Sequence, residues 1–142
     1  VVAHYHSYEE GMAAAKAQGK PVLIDFTGFG CVNCRKMEAA VWTDPTVADM
    51  LNNQYVLISL YVDDKTPLAE PVEVSLNGQQ RTLRTVGDKW SYLQASKFGA
   101  NAQPYYIAID NDGRPLNHAY GFKEDVAAYI DYLQQGLKTY RR

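Results

Sequence analysis

The chain has 142 residues, the length of one ordinary domain and enough to bury a core without staples. A formal charge of −2, with 14 Lys and Arg against 16 Asp and Glu, offers no basic surface to nucleic acid or anionic lipid. The longest strongly apolar stretch, Tyr55 to Val62, falls far short of the ~20 residues a spanning helix needs, and Val1-Val2-Ala3-His4 shows no signal peptide.

Ser7-Tyr8-Glu9-Glu10 reads as a capping box, Ser7 as N-cap and Glu10 three residues on. A short helix follows and stops near Gly19, a residue suited to a left-handed C-terminal position. Pro21 then introduces Val22-Leu23-Ile24-Asp25-Phe26, an apolar run of strand length interrupted by one acid. Thr27-Gly28-Phe29-Gly30 is a loop. Cys31 opens a helix that continues to about Val41. Asp44-Pro45, an N-cap followed by proline at the first helical position, restarts a helix to about Asn52. Tyr55 to Val62 is a second buried strand.

The stretch 63–88 has a different texture. Val72, Val74 and Leu76 alternate with polar residues, Asn77-Gly78 gives a hairpin turn, and Gln80 to Val86 returns. It is predicted to be a surface hairpin inserted between core elements. Asp88 is predicted to cap a helix that ends at Gly99. Tyr105 to Asp110 is a strand after Pro104, Asn111-Asp112-Gly113 turns the chain, and Leu116 to Tyr120 is a last strand. The final helix carries Val126, Tyr129, Ile130, Leu133 and Leu137 on one face. Strands separated by helices imply parallel pairing, and the short final turn implies an antiparallel pair. The expectation is one α/β domain over 1–142, three layers (α/β/α) with a mixed central sheet and the hairpin of 63–88 inserted.

The two cysteines, Cys31 and Cys34, lie three residues apart. A disulfide there closes too small a loop to restrain the unfolded chain much, so stapling explains the pair poorly. At a helix N-terminus, free N–H groups and the macrodipole favour a thiolate on Cys31, the species that attacks disulfides. Cys34, one turn on along the same face, can resolve the mixed disulfide. Asp25 interrupts an apolar strand six residues earlier. Burial there should raise its pKa and let it take and return a proton. Glu38, one turn beyond Cys34, is a second candidate acid near the dithiol. Two acids would oppose the helix dipole, and the residues alone do not decide which effect wins. A Cys-x-x-Cys can also be half a zinc site. Only His4, His6 and His118 stand beside the carboxylates to complete one, and the reading takes no metal.

A strand carrying Asp25, a Cys-x-x-Cys at a helix start, and Gln103-Pro104 before a strand together resemble the thioredoxin superfamily. Gly19-Lys20-Pro21-Val22, Cys31-Val32-Asn33-Cys34-Arg35-Lys36-Met37-Glu38 and Thr43-Asp44-Pro45-Thr46-Val47 resemble, within it, the C-terminal thioredoxin-like domain of the DsbD family of membrane thiol:disulfide interchange reductases. The likeness covers most of the chain outside 63–88 and is strongest around the dithiol. It implies a thioredoxin-like fold with a cis proline at Pro104 beside the dithiol. It also implies a groove formed by Phe29, Gly30, Gln103 and Pro104 that receives an extended client chain. It implies a protein-disulfide reductase that needs no cofactor beyond the Cys31–Cys34 disulfide. Its partners would be protein disulfides, another thioredoxin-like domain among them, with a membrane-embedded electron donor in the parent protein. The location would be periplasmic or exported, tethered through a membrane domain outside this chain, and the downstream uses disulfide isomerisation or cytochrome c maturation. Three features depart from the family: Gly30 after Phe29 where relatives usually have tryptophan, the extra hairpin, and Gln103 in place of an apolar residue. An oxidase or isomerase, and a non-catalytic module that binds through the same groove, are the alternatives.

Overall fold

The computed structural model describes residues 1–141. The first helix, α1 (Tyr8–Gln18), begins where Ser7 Oγ accepts the N–H of Glu10 at 3.4 Å, and it ends on Gly19 at φ 65°. Strand β1 (Val22–Thr27) is buried along its whole length. Helix α2 (Val32–Ala40) follows with Cys31 as its N-cap. Asp44 caps α3 (Pro45–Asp49) by accepting from the N–H groups of Thr46 and Val47. The expected helix to Asn52 changes its winding at Met50: Met50–Gln54 is a π-helical turn, closed by Tyr55 N donating to Met50 O at 3.1 Å. That turn buries Met50 and Leu51 and delivers Tyr55 to the core, where its hydroxyl donates to Leu133 O at 2.6 Å.

Strand β2 (Val56–Tyr61) pairs parallel with β1, Val22 opposite Val56 through Thr27 opposite Tyr61. A separate two-stranded sheet then forms from β3 (Pro67–Leu76) and β4 (Gln79–Thr85). Their turn is Asn77 at φ 52° and Gly78 at φ 77°, both left-handed as a two-residue hairpin turn requires. Leu83 is the buried residue of the hairpin, on the strand that packs on α4 (Val86–Phe98). Helix α4 starts earlier than predicted. Thr85 is its N-cap and Asp88, the third helical residue, completes a capping box, accepting from Thr85 N while Thr85 Oγ1 accepts from Asp88 N.

Strand β5 (Tyr105–Ile109) lies on the other side of β1 and runs antiparallel to it, so the sheet order is β2-β1-β5 and the sheet is mixed. The expected last strand at Leu116 to Tyr120 does not form. The chain returns beside β5 in the antiparallel direction but touches it in two isolated bridges, Ile109–Pro115 and Tyr106–Tyr120. Between them Asn117 Oδ1 takes the N–H of His118 at 2.9 Å, a local bond that competes with a ladder. Helix α5 (Val126–Tyr140), capped by Asp125, closes the chain.

Alternation along the strands separates two cores. Leu23, Leu57, Tyr106 and Ala108 face α2, α3 and α5. Val22, Ile24, Phe26, Ile58, Leu60 and Ile107 face α1 and α4, with Ala15 and Trp90. Asp25 and Ser59 fall on the first of these faces, under α2.

Candidate functional site

The loop Gly28–Gly30 leaves the end of β1 and returns on itself, Cys31 N donating to Gly28 O at 3.2 Å. This places Cys31 at the mouth of α2 with extended backbone, as an N-cap requires. Its sulfur accepts the N–H of Cys34 at 3.1 Å, the position that a Ser or Asp oxygen fills in other helices. The two cysteines are joined in a disulfide across the first turn, Cα atoms 5.2 Å apart. They are not equivalent. Cys34 is 1% exposed, whereas Cys31 is partly open to solvent.

Beneath α2, Asp25 is 2% exposed and accepts from Ser59 Oγ at 2.9 Å. Desolvation pushes its carboxyl up to about 7, against the Ser59 hydrogen bond, with Glu38 raising it further and Arg35 lowering it. Both of these charges sit on the turn of α2 that carries Cys34. Arg35 reaches down to β1, donating to Thr27 Oγ1 at 2.9 Å, and also binds Glu38 at 2.9 Å. The Glu38 carboxylate is therefore paired with Arg35 and half open to water, while its charge still acts on Asp25.

Phe29 is 62% exposed and lies flat on Tyr61, ring centroids 4.1 Å apart at 18°. Beside the dithiol it presents an apolar ring where Gly30 has none. The Gln103–Pro104 peptide is cis. Pro104 is buried and Gln103 half-buried. The loop before it hangs on Gln94, which is fully buried and donates to Ala102 O at 2.8 Å while accepting from Gln103 Nε2 at 3.1 Å.

Three participants lay outside the sequence reading. Asp63 accepts from Phe29 N at 2.8 Å and from Gly30 N at 3.0 Å. Ser59 sits opposite Asp25. Gln94 lies within α4, and its partners are 8 and 9 residues further along the chain. Only Ser59 left a signal, a single hydroxyl in the apolar run of β2. Among the described residues no group of three or more His, Cys, Asp or Glu converges to hold a metal ion.

A buried strand that ends in a loop, a disulfide across the first turn of the next helix, an acid beneath it and a cis proline leading into the neighbouring strand β5 define a thiol–disulfide site on a thioredoxin fold. The match of residues 3–82 to the thioredoxin-like family model is in keeping with this, and the chain belongs to that family.

Within it, the chain is similar to the thiol:disulfide interchange protein DsbD of Pseudoalteromonas atlantica, 31% identical over 116 residues that make up 72% of this chain and 19% of that protein. It is likewise similar to DsbD 1 of Pseudomonas aeruginosa, 32% identical over 90 residues, 61% of this chain and 15% of that protein. The chain thus spans a fifth or less of the length of these curated relatives. Among solved structures, the DsbH oxidoreductase superposes with TM-score 0.69 at 18% identity, covering 97% of this chain and 86% of that one. The reduced C-terminal domain of Neisseria meningitidis DsbD superposes with TM-score 0.61 at 18% identity, covering 93% and 98%. At these identities the structures bear on the fold alone. No helix among the described residues is long and apolar enough to cross a membrane.

Proposed function

We propose that this protein is a thiol:disulfide oxidoreductase that reduces disulfides in other proteins, Cys31 attacking and Cys34 resolving. The observation that carries the reading is the asymmetry of the pair, a partly open Cys31 at the helix mouth and a Cys34 that is 1% exposed one turn behind it. In the dithiol form the Cys31 thiolate attacks one sulfur of a client disulfide. The client S–S bond breaks, its other sulfur leaves as a thiolate and takes a proton, and Cys31 is left in a mixed disulfide. The Cys34 thiol then loses its proton, attacks the Cys31 sulfur and expels the second client sulfur. Two electrons pass to the client, and Cys31–Cys34 is oxidised to the disulfide. Asp25, with its carboxyl near neutrality, serves as acceptor for the Cys34 proton, and Glu38 with Arg35 tunes Asp25.

Phe29, Gly30, Gln103 and Pro104 form the rim that receives the client chain. The buried acid beneath the dithiol opposes a thiolate and favours the disulfide, so the direction is that of a reductant. Equilibration with glutathione should give a potential nearer about −270 mV than about −120 mV. Relatives named thiol:disulfide interchange protein support a place in the cell envelope. There another thioredoxin-like domain would be the acceptor and a membrane-embedded segment of a longer parent the donor, in disulfide isomerisation or cytochrome c maturation.

The test is reduction of insulin by dithiothreitol, followed by turbidity. The wild-type chain should accelerate it and Cys31→Ser should not; equal rates for the two would defeat the proposal.

A further inference from the structure

Asp63 stands where β2 gives way to the hairpin, and its carboxylate is divided between two successive N–H groups of the loop before the nucleophile. Oδ1 accepts from Phe29 and Oδ2 from Gly30; Cys31 is the next residue. The loop lies flat on this carboxylate, since a Cβ added to Gly28 would come within 3.2 Å of Oδ2. The root of the hairpin holds the neighbouring residues in turn. Gly87 N donates to Asp64 O at 2.8 Å, Val86 N to Thr66 O at 2.9 Å, and Thr66 N to Asp64 Oδ1 at 2.9 Å. The backbone that follows residue 63 is thus tied to α4, and Asp64 N donates to Tyr61 O of β2 at 3.2 Å.

Two consequences follow for the sulfur. The amide dipoles of Phe29 and Gly30 point at Asp63 and not at Cys31, which leaves the Cys34 N–H as the donor the Cys31 sulfur receives. A negative charge one residue from the nucleophile also disfavours a second negative charge on it. Burial raises the Asp63 carboxyl. The hydrogen bonds from Gly30, Phe29 and its own N–H, together with the Arg35 charge, outweigh burial and bring it below the usual carboxylate range, so it is ionised at neutral pH.

We infer that Asp63 is a positioning residue that fixes the Phe29–Gly30 loop and, through its charge, holds back ionisation of Cys31 and so keeps the dithiol strongly reducing. This rests on the thiol–disulfide reading above. A thiolate that is costly to form destabilises the reduced state relative to the Cys31–Cys34 disulfide, and the electrons leave more readily for a client. The other charges around the dithiol are Arg35 and Glu38 from α2 and Asp25 from β1; their hydrogen bonds run to Thr27, to each other and to Ser59, not to Asp63. The hairpin root therefore does more than carry an insertion, because it delivers the charge that sets the nucleophile.

The experiment compares wild type with Asp63→Asn and Asp63→Ser, both of which remove the charge and retain a hydrogen-bond acceptor. Cys31 ionisation is followed by thiolate absorbance against pH, and the dithiol–disulfide equilibrium by exchange with glutathione, at low and at high salt. In both variants Cys31 should titrate at lower pH by about half a unit or more, and at a pH above that titration the equilibrium should move about threefold toward the dithiol, because Asp63 is exposed and its field is partly screened. Both differences should shrink in about 1 M salt. A purely structural residue would alter stability without this salt-sensitive shift. If either variant folds and both quantities stay at the wild-type values, the role of Asp63 is overturned. If wild-type Cys31 neither titrates nor exchanges with glutathione, it is the thiol–disulfide reading itself that fails.

Discussion

Ser59 donates its hydroxyl proton to Asp25 Oδ2 at 2.9 Å from the directly opposed position on β2, and the pair lies inside the protein under α2. The bond makes burial of the acid tolerable without making its charge welcome, and the carboxyl stands near 7 against an unfolded value of 3.8. Between those pH values the folded chain holds a proton that the unfolded chain has lost. Stability therefore falls as pH rises from about 4 to about 7 and levels off above it. Asp25→Asn removes this dependence. The unfolding free energy of the oxidised variant should exceed that of wild type by much more at pH 8 than at pH 4, the two offsets differing by about 4 kcal/mol. Calorimetry at the two pH values checks it, and an equal offset at both would refute the raised carboxyl.

Gln94 joins α4 to the segment that leads into Pro104 through its bonds to Ala102 O and Gln103 Nε2. Gln94→Leu keeps the bulk and leaves the Ala102 carbonyl and the Gln103 amide without this partner. The expected loss is about 1–3 kcal/mol, read by urea unfolding. An unchanged unfolding midpoint would mean that Gln94 does not hold the loop.

Gly87 has no room for a side chain. A Cβ would collide with Val62 O and with the Asp64 backbone, and these are main-chain atoms that cannot swing away. Gly87→Ala should therefore cost more than about 2 kcal/mol, although alanine is the better helix former. Gly121→Ala, where a Cβ meets nothing, is the control and should be close to neutral in the same denaturation.

Phe29 rests on Tyr61 with most of its ring in water. Phe29→Ala should cost stability little, about 1 kcal/mol or less. It should slow reduction of a protein disulfide about fivefold while leaving exchange with glutathione unchanged, because a tripeptide makes little use of the rim. Parallel assays on insulin and glutathione test this; equal slowing of both would place Phe29 in the chemistry and not in client binding.

Much of this molecule is legible where the signal is local. Ser7, Gly19, Asp44-Pro45 and Asn77-Gly78 each set a cap or turn within a few residues of themselves, and the apolar runs of β1 and β2 mark strands covered on both faces. The expected last strand does not form because Leu116 and Tyr120 supply apolar residues while the Asn117 side chain between them takes the N–H of His118. Asp88 has the residue type of a cap but sits at the third helical position, and Thr85, three residues upstream, is the cap of the same box. The reversed direction of β5 depends on how the hairpin and α4 return the chain, which no periodicity records. At the site the cysteines and Asp25 announce themselves by spacing and by an acid in an apolar run. Asp63 does not, since its partners are 33 and 34 residues away and it reads as one of two acids in a loop.

The division of labour between the two sulfurs is tested most directly by trapping. Cys34→Ser, incubated with an oxidised protein substrate and analysed by mass spectrometry, should yield a one-to-one covalent adduct through Cys31 that dithiothreitol releases, and Cys31→Ser should yield almost none because Cys34 is 1% exposed. Adducts of equal yield in the two variants, or none in Cys34→Ser, would contradict the assignment of Cys31 as the attacking thiol.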